Sequence, residues 1–119
     1  MYRQLLKAKI FRATVTDARI DYEGSIAIDE ELLRAADIRP WEKVLIANLN
    51  NGSRIESYAI AAEAGSGTIS LNGGAAKYGQ KGDTIIIMTF GVFTEEEAEE
   101  HEPKIVYVDQ QNRILSLKS

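Results

Sequence analysis

The sequence contains no cysteine among its 119 residues. It therefore excludes disulfides, thiolate zinc sites, iron–sulfur clusters and a cysteine nucleophile, and its composition fits a reducing compartment. There is one histidine, His101, and it lies inside the acidic run of residues 95–102. We interpret His101 as part of a solvated helix end, so we expect neither a histidine-based triad nor a metal site.

Positive charge and long apolar runs are also scarce. The 14 Lys and Arg residues are outnumbered by 18 Asp and Glu, which gives a formal net charge of −4 at pH 7. A protein that binds nucleic acid needs a basic surface, so we expect no nucleic-acid partner. No apolar run has the length of a signal peptide or a membrane span, so we expect no membrane partner.

Short apolar, β-branched segments separated by tight turns dominate the rest of the sequence. Asp29 is the expected N-cap of a short helix that Pro40 ends, and Thr94 with Glu97 predicts a capping box for an acidic helix closed by Pro103. A chain of this length forms one domain, and closure into a barrel leaves the fewest free strand edges. We therefore predict a mainly β fold, a small β-barrel with one or two short helices, and a β-sandwich as the alternative. The predicted strands cover residues 7–16, 20–28 with an interruption at 23–25, 44–49, 54–61, 68–71, 84–90, 105–108 and 114–117.

The Gly24-Ser25 pair permits two interpretations. One is an ordinary turn. The other is a self-cleaving bond, because glycine tolerates unusual backbone angles and the Gly24 carbonyl can be presented to the Ser25 hydroxyl. Attack would convert the amide to an ester, and elimination followed by hydrolysis would leave an N-terminal pyruvoyl group.

Arg54 and Tyr58 share one face of a predicted strand, about 13 Å apart at the backbone. Arginine can bind a carboxylate through two parallel hydrogen bonds, and tyrosine can give or take a proton. The alternative is an exposed arginine and a half-buried core tyrosine. Ser57 should point to the opposite face, so its presence in the same site would require a β-bulge or a site between subunits.

Two further segments have both a structural and a functional interpretation. Residues 72–76 read Asn-Gly-Gly-Ala-Ala, which is either a turn or a backbone surface that a ligand can approach closely. Lys9, next to Phe11 on one strand face, is either solvent-facing or a cation at the rim of a pocket.

In this order, these segments resemble the pyruvoyl-dependent aspartate 1-decarboxylase family over nearly the whole chain. The matching segments are MYRQLLKAKI (1–10), RATVTDA (12–18), YEGSIAID (22–29), NGSRIESYAI (51–60), GSGTISLNGGAA (65–76), GDTIII (82–87) and HEPKIVYVD (101–109).

The resemblance implies a double-psi β-barrel and a cytoplasmic homotetramer. It also implies a lyase that converts L-aspartate to β-alanine and CO₂ for pantothenate and coenzyme A biosynthesis. Cleavage between Gly24 and Ser25 would give residues 1–24 (β chain) and 25–119 (α chain). Ser25 would become a pyruvoyl group that forms a Schiff base with the substrate, without PLP or a metal.

The resemblance also assigns expected roles. Tyr58 matches the proton donor of the family. Arg54 and Lys9 match the cations that hold the substrate carboxylates. The other expected substrate-binding positions are Ser57, Asn72 in the matched loop, and the backbone of Gly73, Gly74 and Ala75.

The sequence departs from the family pattern at three positions. Phe11 stands where the family often has histidine, Ser57 where it has threonine, and Gly74 where it has alanine. Ser57 keeps a hydroxyl, whereas Phe11 removes a polar group next to Lys9. Two alternatives therefore stay open: a barrel that does not process and serves as a binding or structural subunit, and a pyruvoyl decarboxylase of another small amino acid.

Overall fold

A computed structural model describes residues 1–118, so the last residue of the expected 25–119 fragment lies outside the described residues. The described part is mainly β. Its strands are β1 (Tyr2–Thr14), β2 (Asp17–Arg19), β3 (Ile26–Asp29), β4 (Lys43–Asn48), β5 (Arg54–Ala62), β6 (Ile69–Asn72), β7 (Thr84–Thr94), β8 (Lys104–Val108) and β9 (Ile114–Lys118). Its helices are α1 (Glu30–Ala36), α2 (Glu95–Glu100) and a 3₁₀ helix over Gly73–Tyr78.

These strands form one sheet in the order β2-β6-β3-β5-β4-β7-β1-β8-β9. The segment after β1 reaches the opposite end of that order, because Thr16 N donates to Ile69 O at 2.8 Å. Asn112, in the turn between β8 and β9, adds hydrogen bonds between the end of β1 and the segment before β6. Its Oδ1 accepts from Thr14 N at 2.7 Å, and its Nδ2 donates to Thr14 O at 2.9 Å and Gly67 O at 2.8 Å. The sheet is thereby closed into the predicted barrel.

The core is aliphatic and lies inside the barrel, because every second residue of the strands points inward. Helix α1 adds Leu32, Leu33 and Ala36. Each fully buried large side chain contributes about 1.5–3 kcal/mol of transfer free energy. The largest of these on the strands are Ile10, Ile26, Ile28, Ile69, Leu71, Ile85, Ile87, Val44 and Val106.

Local signals in the sequence located both α-helix starts correctly. The Asp29 carboxylate accepts from Glu31 N at 2.9 Å, and Thr94 with Glu97 forms the complete capping box. The predicted helix ends are wrong. Helix α1 ends at Ala36 because Asp37 adopts a left-handed conformation, φ 56°, and its N–H bonds back into the last turn. Helix α2 likewise ends before Pro103, at Glu100.

Several predicted strand bounds are also wrong. Strands β1 and β7 are longer than expected, because they pair from Tyr2 opposite Thr94 down to Thr14 opposite Thr84. Residues 20–25 are a turn and bend between β2 and β3, so the interruption predicted at 23–25 is present but begins earlier, at Ile20. The glycines after Asn72 open a 3₁₀ helix, in a segment that we interpreted as either a turn or a backbone surface accessible to a ligand. None of the helices in residues 1–118 is long and apolar enough to cross a membrane.

Candidate active site

Ser25 is buried immediately before β3, with 2% of its surface exposed. Its φ is +106°, a conformation that residues other than glycine rarely adopt. Such a conformation costs about 1–3 kcal/mol and persists only where the surroundings impose it. We expected the unusual angle at Gly24, but Gly24 has no positive φ. The strain lies on the serine because β3 pairs with both β5 and β6 directly after it.

Asn72 contacts Ser25 twice. The register of β3 and β6 sets Ile26 opposite Leu71, so Asn72 lies beside Ser25. Asn72 N donates to Ser25 O at 3.0 Å, and Asn72 Nδ2 donates to Ser25 Oγ at 3.2 Å. The Ser70 hydroxyl donates to Asn72 Oδ1 at 2.9 Å, which turns the amide nitrogen toward Ser25. All three side chains are buried.

Gly73 approaches the Gly24 segment so closely that no side chain fits between them. It has φ +58°, and a Cβ there would lie 2.7 Å from Tyr22 O and 2.8 Å from both Gly24 N and Gly24 Cα. The next residue, Gly74, is exposed, and a Cβ there would meet nothing within 4 Å. One of the two glycines is therefore required by packing and the other is not.

A cavity of about 350 Å³ opens beside Ser25 between β5 and the 3₁₀ helix. Six of the residues singled out from the sequence meet there. Ile55, Glu56 and Tyr78 also line it and were not anticipated, because nothing in their local sequence distinguishes them from ordinary strand or loop residues. The lining residues are Gly24, Ser25, Ile55, Glu56, Ser57, Tyr58, Gly74, Ala75 and Tyr78.

Ser57 and Tyr58 both line this cavity although β5 has no bulge against β4. Ser57 lies opposite Val44 and Tyr58 opposite Lys43 in an unbroken register. On its other side, β5 pairs with β3 only from Ala59 onward. The two residues thus lie beyond the start of β3, where that edge of β5 faces the cavity. The expected bulge is absent, and a site between subunits stays a prediction.

The two cations expected to bind carboxylates do not line the cavity. Lys9 is half-buried on β1, with its Nζ 6.0 Å from the centre of the Phe11 ring. Arg54 is exposed at the start of β5. Within residues 1–118, neither residue forms an ion pair.

The chain that leads to Gly24 is fixed by a small polar cluster. Arg19 Nε donates to Asp17 Oδ2 at 2.6 Å, and the Arg19 guanidinium lies 4.9 Å from the centre of the Tyr22 ring. The hydrogen bond from Arg19, helped by one from Ala18 N, lowers the pKa of Asp17 below its usual 3.8. Tyr22 is also the residue whose carbonyl oxygen faces Gly73. Residues 1–118 contain no cluster of three or more acidic or histidine side chains suited to a metal ion.

Known proteins resemble this chain over nearly its full length. The sequence model of a family described as aspartate decarboxylase matches residues 1–115. The aspartate 1-decarboxylase of a Dehalococcoides mccartyi strain is 54% identical over 115 residues, which cover 97% of this chain and 93% of that protein. The aspartate 1-decarboxylase of Listeria monocytogenes is 56% identical over 114 residues, covering 96% and 90%.

Proposed function

The chain belongs to the aspartate decarboxylase family, and we propose that it decarboxylates L-aspartate to β-alanine and CO₂ with a pyruvoyl group made from Ser25. It is a carbon–carbon lyase, and its product feeds pantothenate and coenzyme A biosynthesis. The observation that carries the proposal is Ser25 itself. It is a buried serine with a positive φ, it follows Gly24, and Asn72 holds its hydroxyl beside a cavity.

Cleavage begins at the peptide bond that precedes Ser25, the residue with the positive φ. Ser25 Oγ attacks the Gly24 carbonyl carbon, its proton leaves, and the Gly24–Ser25 amide becomes an ester with a free amine on Ser25. Ser25 Cα then loses its proton to solvent, the Cβ–Oγ bond breaks, and Gly24 departs as a carboxylate. Water replaces the Ser25 nitrogen, which leaves as ammonia. The products are residues 1–24 and a 25–119 chain that begins with the pyruvoyl group.

The surroundings of Ser25 fit a small planar group. Ser25 lines the cavity of about 350 Å³, and Asn72 N donates at 3.0 Å to the Ser25 carbonyl oxygen, which the pyruvoyl group would keep. A pyruvoyl carbonyl supplies an electron sink for the electron pair that the departing carboxylate leaves behind. Tyr58, on the cavity wall, returns a proton to the carbon that has lost CO₂.

The other proposed roles concern binding of the substrate. The Ser57 hydroxyl and the backbone of residues 73–75 orient the substrate, with Asn72 beside them. Arg54 and Lys9 hold its carboxylates, since aspartate is a dianion and cations fix its position. Because neither cation lines the cavity within one chain, we propose that the sites are completed between subunits of a homotetramer. We also assign the enzyme to the cytoplasm.

An intact-mass measurement under denaturing conditions tests the proposal. Two fragments split between Gly24 and Ser25 are expected, the larger one lighter by one ammonia than a chain that starts with serine. Ser25→Ala should give one species of about 13.2 kDa and no aspartate turnover. Ser66→Ala, an exposed serine in a turn, is the matched control and should cleave normally. A wild-type chain that stays whole after prolonged warming would contradict the proposal.

A further inference from the structure

The turn before β4 holds a tryptophan where the backbone favours glycine. Residues 39–42 form a hydrogen-bonded turn, in which Glu42 N donates to Arg39 O at 3.1 Å. Pro40 occupies the second position, and Trp41 the third with φ +78°. A turn with proline second and a positive φ third is of type II, which normally has glycine or asparagine at the third position. A bulky side chain there is strained.

Burial in the core does not explain this strain, because 74% of the surface of Trp41 is exposed. Its indole instead stacks on the ring of Tyr58, with 5.8 Å between ring centres and 21° between ring planes. Tyr58 lines the cavity beside Ser25. The strained residue thus contacts a side chain of the candidate site without lining the cavity itself.

The backbone of the turn is fixed to the strand that carries Tyr58. Trp41 N donates to Ala59 O at 2.6 Å, and Ala59 N donates to Glu42 O at 2.9 Å. The Glu42 carboxylate also pairs with Lys7 Nζ at 2.8 Å. The indole is therefore presented to Tyr58 from a constrained turn.

From this arrangement we infer that Trp41 is a positioning residue for Tyr58, which holds the phenol toward Ser25. The inference rests on the proposed role of Tyr58 as proton donor. Proton transfer requires the donor oxygen at about 2.6–3.2 Å from its target, and Tyr58 lies on an edge of β5 that no β3 residue covers. The indole covers one face of the ring, which limits the ring's freedom to turn away from the cavity.

Trp41→Gly in the full chain is the informative variant, because glycine suits the turn but removes the indole. We expect normal cleavage at Gly24–Ser25, a kcat for aspartate about tenfold lower, and a nearly unchanged KM. Trp41→Phe keeps an aromatic face and should restore most of kcat. Asp37→Gly is the matched control, because it also relieves a positive φ, 56°, at an exposed position but should leave kcat unchanged.

A double-mutant cycle shows whether Trp41 acts through Tyr58. Trp41→Gly should cause no further loss in a Tyr58→Phe background, with β-alanine followed over hours by mass spectrometry. Trp41 is the only tryptophan, so its emission should also change in Tyr58→Ala if the rings stack in solution. Wild-type kcat in Trp41→Gly, or an equal loss of kcat in the Tyr58→Phe background, would overturn the inference.

Failure of the proposed function would give a different result. The wild type would not cleave or would not turn over aspartate, or Tyr58→Phe would retain full activity.

Discussion

Gly73 lies directly against Gly24, and a Cβ on Gly73 would be 2.8 Å from the Gly24 backbone. The contact joins the 3₁₀ helix to the bond proposed to break. Its neighbour Gly74 has open space where a Cβ would be. The fold accordingly accepts at Gly74 the alanine that the family often carries, whereas position 73 must remain glycine.

Gly73→Ala should slow cleavage at Gly24–Ser25 by about tenfold or more, because the methyl group must displace the Gly24 backbone. Gly74→Ala should cleave at the wild-type rate. The fraction of intact chain, measured by mass spectrometry over time after expression, compares the two variants. Equal rates would show that the close contact does not matter for processing.

Asn72→Ala should also slow cleavage. It removes the donor to Ser25 Oγ, the atom that gains negative charge when the Cβ–Oγ bond breaks. One such donor is worth about 2.7–4 kcal/mol in rate, so we expect a loss of about 100-fold or more. Ser70→Ala should have a smaller effect in the same direction, because Asn72 then loses the hydroxyl that orients its amide. A hydroxylamine-sensitive ester should accumulate in both variants, and its absence would argue against the assigned step.

Arg54→Ala should lower kcat/KM for aspartate by at least about 30-fold, equivalent to about 2 kcal/mol, because one substrate carboxylate loses its partner. Cleavage should be normal, since Arg54 does not line the cavity beside Ser25. Steady-state kinetics on fully processed protein make the measurement. Nearly intact aspartate turnover would contradict the assignment of Arg54 to a substrate carboxylate.

Asn112→Ala should destabilise the barrel by about 3 kcal/mol, because three backbone groups lose partners in a largely buried setting. Urea unfolding should be measured in the uncleaved Ser25→Ala background, where one chain unfolds in one transition. Asn51→Ala, which removes two exposed hydrogen bonds whose backbone partners can bind water instead, is the control and should cost less than about 1 kcal/mol. A similar cost for the two variants would mean that Asn112 does not close the sheet.

The stability of the segment before Gly24 should depend on pH through the titration of Asp17. Its pKa is lowered in the folded protein, so its contribution to stability is present above pH 3.8 and is lost as the pH falls through the lower folded value. Asp17 and its partner Arg19 both have exposed side chains, so added salt should weaken this contribution to stability. Arg19→Gln should return the Asp17 pKa toward 3.8 in an NMR titration of the Ser25→Ala protein. An unchanged pKa would show that the pair does not persist in solution.

The features that were predictable from the sequence are those that depend on a few neighbouring residues. Asp29 and the Thr94–Glu97 pair cap their helices through bonds that span at most three positions. The sequence did not predict that the backbone strain lies on Ser25, because the strain depends on the pairing of β3 with two strands distant in sequence, β5 and β6. The sequence likewise did not show why Ser57 and Tyr58 face the same cavity. That depends on where β3 begins, which is a property of the assembled sheet.

Strand β1 lies between β7 and β8, and β2 lies at the end of the strand order beside β6. The 1–24 segment therefore supplies one interior strand and one edge strand to a sheet otherwise built from the rest of the chain. With no cysteine to join the pieces, cleavage would leave a noncovalent complex of two polypeptides. Once heated apart, they would have to find each other by diffusion, and recovery would become second order in protein concentration. Processing would thus turn a fold that assembles from one chain into one whose lifetime depends on how slowly it opens.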